Sequence, residues 1–422
     1  MKKVFLLSLF ISLIIKVYPQ GGWFVSYNDS ARYFSSVFFL NEYTGWVGGY
    51  QAVMVKTTDG GNNWIPQTTG VTTFLHSIWF VNENTGWAVG EQGDKIIKTT
   101  NGGDNWFIQS NHPNKWLASV QFANANTGWA TGEDLTIIKT TNSGENWYTV
   151  YSSSIFSFSS IYFVNQNTGW VVGDQARIII STNGGENWIS QVSGTTVKLF
   201  SIYFIDESTG WTVGDQGRIM KTTNGGENWV NKQFLQSFTL KEVTFVNQNT
   251  GWAIGNYYSG GGNVIQKTTN GGENWYSQSS GNSYFLGSIQ FVNDSTGYIP
   301  GGYYIASPPT YVGVILKTTT GGEPVGIKPI GNVIPDVYSL KQNYPNPFNP
   351  STNIRFDLQK ASQVRLIVYD NLGREIDVLV NERLYPGIYE TKWYADKYSS
   401  GVYFYKLVTN EFSEVKKMIL LK

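Results

Sequence analysis

The chain has 422 residues, with 30 basic and 30 acidic side chains, no cysteine, 46 glycines and 16 tryptophans. A net charge of zero gives no electrostatic basis for binding nucleic acid or an acidic membrane surface. Without cysteine there is no disulfide, thiolate metal site or cysteine nucleophile, so we expect stability to come from packing. The glycines and aromatic residues favour strands and turns over helices.

Residues 1–20 have the pattern of a secretory signal peptide. Two lysines precede an apolar run from Val4 to Ile15, after which the chain becomes polar. A run of this length is too short to cross a bilayer as a helix, and no later run is apolar enough to do so. We therefore predict an exported mature protein with no stable membrane span. The alternative interpretation of the apolar run is a buried core helix.

Internal repeats occupy residues 21–322. The tripeptide Thr-Gly-Trp, or Thr-Gly-Tyr in the last copy, recurs every 41 to 46 residues. Its aromatic residues are Trp46, Trp87, Trp129, Trp170, Trp211, Trp252 and Tyr298. Each unit contains four short alternating segments, which is typical of the four strands of a β-propeller blade. Seven copies predict an all-β, seven-bladed β-propeller.

The seventh repeat is incomplete. Pro324 and Val325 stand where the other units have Asn and Trp, so the fourth strand is missing. Trp23, near the mature N-terminus, lies 41 residues before Trp64 and therefore one period early. We expect the N-terminal strand to complete blade 7, because closing the ring removes exposed sheet edges.

A glycine-rich turn precedes the second tryptophan of each unit, as in Lys221-Thr222-Thr223-Asn224-Gly225-Gly226-Glu227-Asn228-Trp229. Glycine adopts positive φ without steric cost, and an Asn or Asp side chain bonds to the backbone of its own turn. We interpret these turns as structural and the tryptophans as packing between blades.

These turns resemble the Asp-box of sialidase-type propellers, a type of BNR repeat. Together with the Gly-Trp motif, the repeats resemble the photosystem II assembly and stability factor family over about residues 23–322. The resemblance implies a seven-bladed propeller. Most copies carry asparagine where the Asp-box has aspartate, which removes the carboxylate that a calcium or catalytic role would need: Asn101, Asn142, Asn183, Asn224 and Asn270.

The composition changes after Gly322. We predict a linker over residues 323–337 and a small Ig-like β-sandwich over residues 338–422. Four blocks of the latter resemble the type A C-terminal sorting domain of the type IX secretion system: Asn343–Pro350, Tyr369–Arg374, Ser400–Tyr403 and Lys416–Leu420. The resemblance implies recognition by the type IX translocon after passage through the periplasm, and then a secreted or cell-surface location. An adhesion sandwich is the alternative.

Catalytic residues are weakly indicated. The loops between strands 2 and 3 carry carboxylates, but these recur at one repeat position and are better explained as turn residues: Glu91, Glu133, Asp134, Asp174 and Asp215. Sialidase chemistry also needs clustered arginines, and the propeller has only Arg32, Arg177 and Arg218. With His76 and His112 as the only histidines, a histidine metal site is excluded as well. We predict no catalytic residue, no metal site and no cofactor.

Departures from the repeat indicate a binding surface. Blades 6 and 7 carry tyrosine-rich insertions between strands 2 and 3, and the residue before the inner strand is aromatic in blades 7, 1, 2 and 3. Aromatic rings give large contact areas at small entropic cost, so such an arc would stack sugars or grip a peptide. The alternative is that the rings plug the channel. The candidate residues are Tyr33, Phe74, Trp116, Tyr257, Tyr258, Phe285, Tyr303, Tyr304 and Tyr311.

The function predicted from sequence is therefore non-enzymatic binding of a protein or polysaccharide partner at the cell surface or outside the cell. Two alternatives stay open: a secreted glycoside hydrolase or lyase of sialidase-like fold, and an assembly factor for a surface complex. A pair of carboxylates outside the repeat pattern, across the channel mouth, would favour an enzyme.

Overall fold

The structure, a computed structural model, describes residues 22–91, 96–109, 115–153, 155–233, 237–258, 262–281, 283–307, 309–322, 327–331, 335–384, 386–395 and 398–422. The predicted signal peptide lies outside the described residues. Within them the chain is all β, apart from short 3₁₀ segments at Tyr50–Ala52, Glu133–Leu135, Asp174–Ala176 and Asp215–Gly217. The predicted fold class is confirmed.

Seven antiparallel sheets form the propeller. Six of them consist of four consecutive strands, and the sheet of blade 7 also contains the first strand of the chain. The first strand of the chain is β1 (Phe24–Asp29). Blade 1 contains β2 (Phe34–Phe39), β3 (Gly45–Gly49), β4 (Met54–Thr57) and β5 (Ile65–Pro66). Blade 2 contains β6 (Leu75–Phe80), β7 (Gly86–Gly90), β8 (Ile96–Thr99) and β9 (Phe107–Gln109). Blade 3 contains β10 (Leu117–Phe122), β11 (Gly128–Gly132), β12 (Ile137–Thr140) and β13 (Tyr148–Tyr151).

The next three blades follow the same order. Blade 4 contains β14 (Phe158–Phe163), β15 (Gly169–Gly173), β16 (Ile178–Ser181) and β17 (Ile189–Gln191). Blade 5 contains β18 (Leu199–Phe204), β19 (Gly210–Gly214), β20 (Ile219–Thr222) and β21 (Val230–Gln233). Blade 6 contains β22 (Phe238–Phe245), β23 (Gly251–Tyr257), β24 (Asn263–Thr268) and β25 (Tyr276–Gln278). Blade 7 contains β26 (Phe285–Leu286), β27 (Gln290–Phe291), β28 (Gly297–Ala306) and β29 (Pro309–Thr318).

The first periodic tryptophan joins each blade to the next. Trp46 is fully buried and stacks on Phe80 of the following blade, with ring centroids 3.5 Å apart, and its indole N–H donates to the carbonyl of Gly102. Tyr298 repeats the arrangement between blades 7 and 1, stacking on Phe39 at 3.8 Å. Gly45 precedes Trp46 because a Cβ there would lie 2.6 Å from the Phe39 ring. The repeated tripeptide is thus an inter-blade packing motif.

The glycine-rich turns are held by their own side chains. In blade 4, Ser181 Oγ accepts from the backbone N–H of Gly185, and Asn183 Oδ1 accepts from that of Asn187. Gly184 and Gly185 both have positive φ, 72° and 83°, which a side chain rarely adopts. The asparagine oxygen is therefore used by the turn itself, in agreement with a structural role.

The N-terminal strand completes blade 7. β1 pairs antiparallel with β29, with Phe24 opposite Lys317 and Asp29 opposite Gly313. The prediction that the N-terminus closes the ring is confirmed by this pairing.

The insertions of blades 6 and 7 differ from the sequence prediction, which placed them in loops. In blade 7, β28 and β29 continue as a hairpin, so that Tyr304 lies opposite Tyr311. In blade 6, pairing of β23 with β24 continues to Asn256 opposite Asn263. The inserted residues extend the strands because backbone pairing satisfies their N–H and C=O groups.

The C-terminal region forms two four-stranded sheets. Its strands are β30 (Ile327–Gly331), β31 (Ser339–Leu340), β32 (Ser351–Leu358), β33 (Ser362–Tyr369), β34 (Glu375–Leu384), β35 (Gly387–Tyr394), β36 (Gly401–Val408) and β37 (Ser413–Leu420). One sheet has the order β30, β35, β32, β31 and the other β34, β33, β36, β37, with a shared core that includes Trp393 and Tyr405. β30 lies within residues 323–337, which were predicted as a linker. The stretch therefore contributes an edge strand to the sandwich.

Candidate functional site

One face of the propeller collects the variable parts of the repeats. Because strands within a blade are antiparallel, the segments before the inner strands, the turns between strands 2 and 3, and the connections between blades all lie on it. We call it the loop face. The glycine-rich turns lie on the opposite face. Inner strands of all seven blades line a central cavity of about 480 Å³.

A chain of aromatic contacts runs along the loop face. Tyr304 and Tyr311 of blade 7 have ring centroids 5.1 Å apart, and Tyr311 lies 6.2 Å from Tyr50 of blade 1. Tyr50 is 6.1 Å from Phe74 of blade 2. Phe74 in turn stacks with Tyr33 at 6.4 Å.

The chain continues to blade 3 through a histidine. The His76 ring lies 4.6 Å from that of Phe74 and 5.6 Å from that of Trp116. Contacts therefore connect blades 7, 1, 2 and 3 without a gap. We call the set Tyr33, Tyr50, Phe74, His76, Trp116, Tyr304 and Tyr311 the aromatic strip.

Five of the nine residues predicted from sequence belong to this strip: Tyr33, Phe74, Trp116, Tyr304 and Tyr311. The other four lie apart from it within the described residues. Tyr257 packs on Phe238 at 4.1 Å, and the hydroxyl of Tyr258 accepts the backbone N–H of Gln216. Tyr303 packs on Tyr284, and Phe285 is exposed at the start of β26 with no ring contact to the strip.

Sequence reasoning missed two members of the strip. Tyr50 stands at the strand 2 to 3 turn, where the next four blades have Glu91, Glu133, Asp174 and Asp215. This aromatic residue at a position that is acidic in the next four blades could have indicated Tyr50 as a member of the strip. His76 carried a weaker one, since its inner-strand position holds a different residue in most blades.

Burial shapes the ionisation of the strip. It lowers the pKa of His76, while the hydrogen bond and charge of Glu91, whose carboxylate is 2.9 Å from Nε2, act in the opposite direction. Burial raises the pKa of Tyr33 to about 12. Burial thus favours the neutral forms of both side chains.

The carboxylates of the turns between strands 2 and 3 form hydrogen bonds and ion pairs with other residues of the loop face. Asp174 accepts the backbone N–H of Ser157 and pairs with Lys198 at 2.9 Å. Asp215 accepts the hydroxyl of Thr239. These bonds fix the entry to neighbouring inner strands, as expected for turn residues.

One carboxylate outside the repeat pattern lines the central cavity. Glu242 occupies an inner-strand position that is serine in the other six blades. Such a serine links blades, as where Ser77 Oγ accepts the backbone N–H of Val120 at 3.2 Å, and Glu242 replaces this link by accepting from Ile289 at 2.7 Å. Burial raises its pKa to about 7, opposed by the hydrogen bonds from Ile289 and the Ser288 side chain. Among the described residues that line this cavity, no second carboxylate accompanies it.

Among the described residues, no group of three or more His, Asp or Glu side chains is arranged to hold a metal ion. Nor does any described helix have the length and hydrophobicity needed to span a membrane.

Sequence comparison assigns both the propeller and the C-terminal region. The profile described as photosynthesis system II assembly factor YCF48 matches residues 66–156, 108–193, 153–233 and 190–277. These overlapping matches cover half of the chain. It belongs to the YCF48 family. The secretion system C-terminal sorting domain matches residues 342–421, so this YCF48-family chain carries a type IX sorting domain and is exported to the cell surface or secreted.

Solved structures agree on the fold. A structure of YCF48 bound to D1 peptide is 20% identical, with a TM-score of 0.57, and the match covers 72% of this chain and 98% of that one. PorZ, a surface component of the type IX secretion system of Porphyromonas gingivalis, is 14% identical with a TM-score of 0.51, covering 93% and 60%. A GH74 xyloglucanase from Xanthomonas campestris is 8% identical with a TM-score of 0.56, covering 80% and 59%. No curated protein sequence matches the chain.

Proposed function

We propose that this exported YCF48-family protein is a non-enzymatic binder, which holds a protein or polysaccharide partner on its loop face through the aromatic strip. The observation that carries the proposal is the unbroken contact between rings from blade 7 to blade 3. Tyr304, Tyr311 and Tyr50 remain 51%, 48% and 40% exposed, although each packs against another ring.

This exposure argues against the rings being mere filling of the channel. A tyrosine loses little conformational entropy on binding and presents both an apolar ring and a hydroxyl. Because the rings of the strip already support one another, they are ordered before a ligand arrives, which reduces the entropic cost of binding. A strip of this kind suits an extended ligand that crosses several blades.

The related folds are compatible with such a role. YCF48 has been solved with a peptide bound, and PorZ is a surface component of a secretion system. By analogy, one candidate partner of this chain is a surface complex that it helps to assemble. The type IX translocon is a second partner, through the C-terminal sorting domain.

A secreted glycoside hydrolase is the second candidate, favoured by the GH74 likeness and by Glu242 with its raised pKa. Hydrolysis by retention or inversion usually requires two carboxyl groups facing the scissile bond. Glu242 stands alone in the cavity lining, and its carboxylate already accepts the N–H of Ile289. This arrangement supports binding over turnover.

A binding screen tests the proposal. Residues 21–422 would be screened against glycans and surface proteins, and each hit would be titrated against Tyr311→Ala and Trp116→Ala. Removing either ring is expected to weaken binding by at least tenfold. Tyr148→Ala is the matched control, because Tyr148 is similarly exposed, at 42%, on outer strand β13.

Two outcomes would overturn the proposal. Unchanged affinity of both strip variants for every ligand found would remove the strip from binding. Hydrolysis of a bound glycan that is lost in Glu242→Gln would make the protein an enzyme. Circular dichroism of each variant distinguishes loss of a contact from loss of the fold.

A further inference from the structure

Two cations on the propeller rest on phenyl rings instead of pairing with carboxylates. The guanidinium carbon of Arg177, at the start of strand 3 of blade 4, lies 5.6 Å from the ring centroid of Phe156. Lys241 Nζ, on the inner strand of blade 6, lies 3.7 Å from that of Phe200. Neither side chain has a hydrogen bond or ion pair within the described part of the chain.

Three other cations near the loop face are paired with carboxylates. Lys115 forms an ion pair with Asp134, and Arg32 lies 3.0 Å from Asp29. Lys198, the neighbour of Lys241 across Phe200, is 2.9 Å from Asp174. Unlike these three, Arg177 and Lys241 have no carboxylate partner in the part of the chain that the structure describes. Their charges are therefore available to an anionic group of a ligand.

The surroundings of Lys241 make its charge costly when no anion is bound. Burial lowers its pKa, the nearby charge of Lys198 acts in the same direction, and Asp215 opposes them. Lys241 also lines the central cavity, so an anion that entered the mouth would reach it. Partial desolvation strengthens the attraction between an ammonium and such an anion.

Arg177 lines a second cavity, of about 360 Å³, beside blade 4. Ser190, Ser193 and Thr195 contribute hydroxyl groups to its wall. The Nε atom of Arg177 is buried and has no acceptor. A guanidinium with free donors beside hydroxyl groups matches a carboxylate, which accepts from both kinds of donor.

We propose that the ligand of the loop face is an acidic polysaccharide, with sugar rings on the aromatic strip and carboxylates on Arg177 and Lys241. This inference rests on the proposed function, because it names the ligand class of the same site. The strip occupies blades 7, 1, 2 and 3, and the two cations lie on blades 4 and 6. A single polysaccharide that crosses the mouth of the channel would therefore contact both the strip and the cations.

A polysaccharide fits this face better than a peptide does. Peptides often bind by adding a strand to a sheet edge. In the propeller the outer edges lie on the circumference and the inner edges face the channel. The loop face therefore presents mainly turns and ring faces, apart from the hairpin of blade 7, where Tyr303–Ala306 pairs with β29 alone. Sugar rings need no backbone ladder, and they offer apolar faces to aromatic side chains.

The test measures the affinity of residues 21–422 for polygalacturonate, for the same polymer after reduction of its carboxyl groups, and for polyglutamate. We expect polygalacturonate to bind best, and the carboxyl-reduced polymer to bind at least tenfold more weakly. Arg177→Gln and Lys241→Gln should each weaken polygalacturonate binding about tenfold, whereas Arg177→Lys retains part of it. Lys360→Gln, an exposed charge change in the sandwich, is the control.

Three results would overturn the inference. Failure of polygalacturonate to bind at millimolar concentration, an affinity of both glutamine variants equal to that of the parent, or a preference for polyglutamate would each reject it. If the cation variants bind every ligand normally while Tyr311→Ala does not, only this inference fails. If the strip variants also bind normally, the proposed function fails with it.

Discussion

The indole of Trp23 meets the ring of Phe291 edge-on, with centroids 5.6 Å apart and planes at 81°. Within blade 4, Trp188 and Phe163 have the same relationship, at 5.9 Å and 83°. Trp23, directly before β1, thus occupies in blade 7 the place that the second tryptophan of the repeat occupies elsewhere. Blade 7 therefore has the same packing as the other blades. The N-terminal segment is held in it both by the Trp23 contact and by the hydrogen bonds of β1.

Trp23→Ala should therefore destabilise the propeller about as much as the same change inside a blade. Removing a buried tryptophan leaves a cavity and costs about 3 to 5 kcal/mol. Urea unfolding of Trp23→Ala and Trp147→Ala, followed by circular dichroism, compares the two, because Trp147 is buried to the same degree and meets Phe122 edge-on in blade 3. Deleting residues 22–29 should cost more, because the pairing with β29 is lost as well. An unchanged unfolding midpoint in both N-terminal variants would contradict closure by β1.

Glu242 makes a separate prediction about pH. Its pKa is about 7 in the fold, above the ordinary value of 4.5, so the folded protein holds the proton more tightly than the unfolded chain does. Stability should therefore fall as pH rises from about 4.5 to 7, by up to about 3 kcal/mol for this group. Ser288 and the Ile289 N–H are its bonding partners, and Lys241 precedes it on β22.

Glu242→Gln should remove that pH dependence while keeping an acceptor for Ile289. The free energy of unfolding of both proteins at pH 5 and pH 8 gives the measurement. The variant is expected to gain stability over the parent at pH 8 and to match it more closely at pH 5. A constant difference between the proteins at the two pH values would mean that the carboxyl group does not titrate in this range.

The glycine-rich turns test whether the Asp-box carboxylate matters here. Asp59 Oδ1 accepts the backbone N–H groups of Asn62 and Asn63, as Asn183 Oδ1 accepts that of Asn187. Asp59→Asn keeps an acceptor for these N–H groups but loses the bond that Asp59 Oδ2 accepts from Asn63 Nδ2, so it should cost less than about 1 kcal/mol, whereas Asn183→Ala should cost about 1 kcal/mol. Thermal unfolding with and without a calcium chelator is the measurement. Destabilisation of the parent by the chelator would restore a metal role for these turns.

The sequence predicted the ring well because its packing is periodic. Each Thr-Gly-Trp copy places an indole on the next blade, so the spacing alone indicated the number of blades, and the displaced Trp23 indicated the closure. Contacts that break the period were harder to predict. Tyr50 and His76 join the strip only because radial packing places neighbouring blades side by side. The separation of these residues along the sequence does not show that their rings are in contact.

The boundary of the C-terminal region was missed for a different reason. The residues of β30 include Pro329 and follow a Pro-Gly-rich stretch, a composition typical of a linker. Proline is tolerated on an edge strand, where an N–H on the open side is not needed for pairing. β30 is such an edge, paired with β35 only.

The position of β30 predicts how much of the chain is needed for export. A reporter fused to residues 327–422 should be exported through the type IX system more efficiently than one fused to residues 338–422, because the shorter segment leaves the β35 edge unpaired and the sandwich less stable. The fraction of reporter outside the cell, measured in a host with this secretion system, distinguishes the two fusions. A fusion to residues 327–422 with Trp393→Ala, which removes a buried core side chain, serves as the control for an unstable sandwich. Equal export of the first two fusions would place recognition entirely within residues 338–422 and make β30 dispensable.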